Sequence, residues 1–151
     1  MNHRFMSDQG VEFLKKFEGC SLNIYKCSAG YPTIGYGHKL KYDEDYDLIT
    51  YDQAELLLRD DLLHTERSVI RNIHYDLSQE EFDALVSFTF NLGGGALQRS
   101  SLRYKINSDI FIEPEDISAE FMRWIYSSGV KSSGLINRRR AEANLYNYGE
   151  Y

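Results

Sequence analysis

The chain has 151 residues, of which 42% are hydrophobic and 26% charged, and a formal net charge of −6. A chain of this length suits one domain, expected over residues 1–151, that buries roughly 70% of its unfolded surface without staples. Its composition, with two prolines, excludes a disordered or fibrous chain. The negative balance excludes a general nucleic-acid binder, which needs a basic face.

Residues Met1 to Asp8 are polar and hold no apolar signal stretch, and no run is long enough to span a bilayer. Synthesis in the cytoplasm, no export signal of its own and no membrane insertion are therefore expected. Ser7 caps a first helix whose apolar residues Val11, Leu14 and Phe17 recur at helical spacing, and Gly19 is expected to end it in a left-handed turn. Residues 22–38 change character: Gly30 and Pro32 punctuate a stretch rich in Tyr, Thr and Ile, which reads as short strands and tight turns.

From Thr50 the pattern reads as helical to the end. The capping box Thr50-Tyr51-Asp52-Gln53 opens a helix of about twenty residues carrying Ala54, Leu57, Leu58, Leu62 and Val69. A second box, Ser78-Gln79-Glu80-Glu81, opens a helix with Phe82, Leu85, Val86 and Phe90, closed by Gly93-Gly94-Gly95. Pro114 fits the first turn of a helix carrying Ile117, Phe121, Trp124 and Ile125, and Gly134 precedes a last helix with Leu135, Arg138, Glu142 and Leu145. The expected class is α+β: one helix with a small sheet, and a helical lobe joined to it by the long helix. The basic cluster Arg138, Arg139, Arg140, Lys131 and Arg123 reads either as a solvated, ion-paired helix face or as a local site for a polyanion.

Glu18 stands out among the acids. It falls at the C-terminal end of the first helix, where the macrodipole disfavours a carboxylate, and a carboxyl kept protonated is what a general acid near neutral pH requires. The plainer alternative is an exposed Glu beside a helix stop. If Tyr31-Pro32-Thr33-Ile34-Gly35-Tyr36-Gly37-His38 forms one strand, Thr33, Gly35 and Gly37 share a face and Ile34, Tyr36 and His38 the other. A face nearly bare around a hydroxyl suggests close approach of another chain, such as a polysaccharide, whereas a bend explains one glycine better than both.

The run Phe17-Glu18-Gly19-Cys20-Ser21-Leu22-Asn23-Ile24-Tyr25, then Thr33-Ile34-Gly35-Tyr36-Gly37-His38, closely resembles the phage-type lysozymes, glycoside hydrolase family twenty-four. The resemblance continues in Ser87-Phe88-Thr89-Phe90-Asn91-Leu92-Gly93, in Phe121-Met122-Arg123-Trp124 and in Gly134-Leu135-Ile136-Asn137-Arg138-Arg139-Arg140-Ala141-Glu142, so it covers nearly the whole chain. It implies a lysozyme-like α+β fold with a cleft between the lobes, and a muramidase that hydrolyses the bond between N-acetylmuramic acid and N-acetylglucosamine. The family's Glu, Asp and Thr match Glu18, Cys27 and Thr33 here, with Cys27 standing where a carboxylate is usual. Glu18 would protonate the leaving oxygen and Thr33 would help to position the water. Arg138 and Arg139 resemble arginines that approach the catalytic Glu from the helical lobe; which of them pairs with Glu18 stays open. Gly35, Tyr36, Asn91 and Arg138 are the expected substrate-binding residues, and Trp124 is read as core or cleft floor. His38 is expected to make a structural bond to the helical lobe.

Cys27 admits three readings: altered chemistry by a thiolate nucleophile or base, loss of activity in a binding module, or a small buried hydrophobe. A lytic transglycosylase using Glu18 alone is a further alternative. Cys20 and Cys27, seven positions apart, are expected either to approach disulfide distance as a redox switch or never to meet. No metal spacing and no cofactor motif occurs. The resemblance implies a monomer acting on peptidoglycan outside the cytoplasm, reached through a separate pore-forming (holin) partner at host lysis.

Overall fold

The computed structural model describes residues 2–108 and 110–151. Helix α1 (Asp8–Lys15) begins where the Ser7 hydroxyl accepts the Gly10 amide, and it buries Val11, Phe13 and Leu14. It does not end in a left-handed glycine. Lys16 closes it in the right-handed region (φ −63°), and the amides of Phe17 and Glu18 both still bond the Leu14 carbonyl, at 3.0 and 3.2 Å. Gly19 keeps a negative φ, because these tightened bonds already satisfy the last carbonyls.

Strands β1 (Ser21–Lys26), β2 (Pro32–Gly35) and β3 (His38–Lys39) form an antiparallel sheet in that order. The expected single strand from Thr33 to His38 is therefore a hairpin. Gly35 at φ 66° and Gly37 at φ 80° reverse the chain through Tyr36, a conformation that side chains disfavour. Both glycines serve the bend. Ile34 and His38 face each other across the hairpin, and Ile34, Ile49 and Ala54 form the small core beneath the sheet.

Helix α2 (Tyr51–Asn72) has the Thr50 capping box and 22 residues, a rod of about 33 Å that leads from the sheet into the helical lobe. Helix α3 (Gln79–Leu92) buries every residue from Phe82 to Thr89, the polar Asp83, Ser87 and Thr89 included, so it runs through the middle of that lobe. Gly93, at φ 93°, closes it. Gly94 and Gly95 do not belong to the stop but open α4 (Gly94–Arg99), followed by α5 (Ser101–Asn107), a pair for which the sequence offered no periodic signal. Helix α6 (Pro114–Phe121) ends before Trp124 and Ile125, and the chain then forms a hairpin, β4 (Tyr126–Ser127) with β5 (Val130–Lys131), in place of continued helix. Helix α7 (Ser133–Tyr148) packs on α3 and includes Gly134 in its first turn. The main core gathers Leu14 of α1, Leu58 and Leu62 of α2, Leu85 and Phe88 of α3, and Phe121 of α6. The architecture is α+β, with a groove where the sheet faces α3 and α7.

Candidate active site in the groove

Glu18 emerges just past α1 with its side chain about one-fifth exposed, and Arg138 Nη1 donates to its Oε1 at 2.7 Å. That guanidinium is held from behind: Nε donates to Glu142 Oε2 at 3.2 Å and Nη2 to the Ser87 carbonyl at 3.0 Å. The Phe17 ring covers it at 5.5 Å. Arg138 is thus the partner of Glu18. Arg139 turns inward, donating to the Trp124 carbonyl at 3.0 Å and to Asn91 Oδ1 and Glu142 Oε1. Glu142 is fully buried and balances both arginines, with a further bond from the Ser87 hydroxyl at 2.5 Å. This network aims one cationic fork at one carboxylate that is about one-fifth exposed.

The sheet supplies the other wall. Thr33 pairs with Tyr25 on β1 and with Lys39 on β3, and cross-strand partners project to the same face. Alternation adds Cys27 and Tyr31, which meet across the hairpin end, where the Cys27 amide donates to the Tyr31 carbonyl at 2.9 Å. The Thr33 hydroxyl donates to the same carbonyl at 2.9 Å, and Thr33 is buried. The Cys27 thiol is held below its ordinary pKa, first by the Tyr31 amide, against a smaller opposing effect of burial, then by the Ala29 amide, the Thr33 hydroxyl and the charge of Lys39.

Two cavities, of about 420 and 460 Å³, meet at Glu18 and Asn91. Tyr36, Gly37, Lys39 and Asp61 line the first, and Phe17, Leu135 and Arg138 the second. Tyr36, Asn91 and Arg138 thus border the groove. Gly35 does not: it is buried, and a side chain there would rest on Ala54 at 3.4 Å. His38 is buried with both ring nitrogens engaged, Nδ1 on Asp61 of α2 at 2.8 Å and Nε2 on Glu44 at 2.8 Å. Burial alone would lower its pKa, but the bonds to Glu44 and Asp61 outweigh it and raise the value.

Lys39 and Asp61 escaped sequence reasoning, since only the turn at Gly35 and Gly37 folds Lys39 back beside Thr33. The idea of a Cys20–Cys27 disulfide is overturned: both thiols are free, and the extended strand β1 between them separates them by about 20 Å. Among the described residues no group of three or more His, Cys, Asp or Glu is placed to hold a metal ion, and no helix is long and apolar enough to cross a membrane.

The chain resembles known proteins over nearly its whole length. The family model for phage lysozyme matches residues 15–142. The endolysin of Bacillus phage B103 is 37% identical over 147 residues, covering 96% of this chain, while the chain spans 55% of that protein's length. Among solved structures, an endolysin from Escherichia coli O157:H7 phage FAHEc1 superimposes with a TM-score of 0.86 at 36% identity, covering 99% of this chain and 98% of that one.

 The SpmX domain of Asticaccaulis excentricus superimposes with a TM-score of 0.84 at 32% identity, covering 97% of this chain and 99% of that one. With the family model matching residues 15–142 and relatives of this identity covering nearly the whole chain, the chain belongs to the phage lysozyme family.

Proposed function

We propose that this protein is an endolysin-type muramidase that hydrolyses the β-1,4 bond between N-acetylmuramic acid and N-acetylglucosamine in peptidoglycan, without a cofactor. The observation that carries this reading is Glu18, about one-fifth exposed, which a buried arginine aims into cavities that Tyr36 and Lys39 of the sheet side and Asn91 of α3 also line. Glu18 donates its proton to the leaving oxygen as the glycosidic bond breaks; the thiolate either attacks the anomeric carbon from the far side, forming a thioglycosyl link that a water deprotonated by Glu18 then hydrolyses, or takes a proton from a water that Thr33 helps to orient and that attacks instead. Tyr36, Asn91 and Arg138 border the glycan. A monomeric single domain over residues 1–151, made in the host cytoplasm and admitted to the wall by a pore-forming partner, completes the proposal.

The direct test is Glu18→Gln, which keeps the shape but has no proton to give. Clearing of outer-membrane-stripped Gram-negative cells should fall by about 10² to 10⁴, with the melting temperature nearly unchanged. More than a tenth of the original activity would contradict the assignment. Mass analysis of the fragments separates hydrolysis from a transglycosylase, whose anhydro-sugar products lack one water.

A further inference from the structure

A free cysteine is only a few per cent ionised at pH 7, so a working thiolate needs donors and a cation close by. The donors are the amides and the hydroxyl already described. Lys39 is the cation on the same sheet face, opposite Thr33 in the register. Its Nζ stands 5.1 Å over the Tyr31 ring, and the Tyr31 backbone holds Cys27. Lys15, Lys41 and Lys105 each sit on a carboxylate, whereas among the described residues Lys39, like Lys16, Lys26 and Lys131, makes no salt bridge. Lys39 also lines the cavity that contains Glu18.

We propose that Lys39 is a positioning residue that keeps Cys27 in the thiolate form; this rests on the reading of Cys27 as the working thiol. The other charged or titratable groups around the thiol are Tyr25, Lys26 and Tyr31 on its own hairpin, Glu18 across the groove and Asp61 on α2. Glu18 and Asp61 oppose a second anion. Of these groups, Lys39 is the one whose charge favours the thiolate in this structure.

The experiment measures the rate at which Cys27 displaces iodide from iodoacetamide between pH 5 and 9, in the full chain carrying Cys20→Ser. Lys39 is exposed, so Lys39→Met is expected to fold. Lys39→Met should move the alkylation midpoint up by about 0.3–0.5 pH unit, and Lys39→Arg should restore it. On purified peptidoglycan, kcat of Lys39→Met should fall about two- to threefold with KM little changed, and the loss should vanish when Cys27 is replaced by Asp, which ionises without help. An unmoved midpoint together with a raised KM would overturn the proposal and make Lys39 a substrate contact. Full activity of Cys27→Ala would instead remove the catalytic reading of the thiol, while the alkylation midpoint would still report whether Lys39 ionises it.

Discussion

Cys27 occupies a turn that offers a sulfur anion two amides and a hydroxyl, so the site is built for negative charge at that position. A carboxylate meets the same need. Cys27→Asp should therefore keep substantial lytic activity, and Cys27→Ala should lose most of it, by about 10²-fold or more. Turbidity clearing by the two variants checks this; an alanine variant as active as the parent would make the thiol mere packing. Glu18 shows the limit of reasoning from one residue. Its place near a helix end is visible in the chain, but the arginine that aims it arrives from 120 positions away.

At the scale of elements, β3 is tied to α2 by one imidazole. His38 is faced by Asp61 and Glu44, and its pKa in the folded protein is raised above the ordinary value. On Asp61 burial pushes the carboxyl up despite His38, so the imidazole, faced by two carboxylates, sets the response near neutral pH. A raised folded pKa means that the native state binds the proton more tightly. The stabilisation is full below about pH 6.5 and is lost as pH rises through the raised value. Urea unfolding of the parent and of His38→Asn should accordingly differ most near pH 5.5 and least near pH 9. A difference that grows with pH would contradict the assignment.

The whole molecule hangs its groove on buried charge. Glu142 is fully buried between Arg138 and Arg139, so Glu142→Gln leaves two buried guanidiniums short of an anion. Breaking such a set by removing one partner costs about 3–5 kcal/mol. Chemical denaturation should show a loss of that order, and lysis should fall as well, because Arg138 loses the anchor that aims it at Glu18. A loss below about 1 kcal/mol would mean that the network adds little to stability.

The α+β class, the caps at Ser7, Thr50 and Ser78, the long helix and the stop at Gly93 were legible in the chain, because each follows from local hydrogen bonding and apolar period. Glu18, Cys27 and Thr33 could be named as candidates from the family resemblance of the segments that hold them. Tertiary structure alone decided the rest. The chain reverses at Gly35 and Gly37 because positive φ is a property of backbone that periodicity does not report, and this reversal brings Lys39 beside Thr33. The choice of Arg138 over Arg139 depends on which side of α7 meets α3, a matter of packing between distant segments. The separation of Cys20 from Cys27 likewise follows from β1 being held extended by its pairing with β2, which neither cysteine encodes.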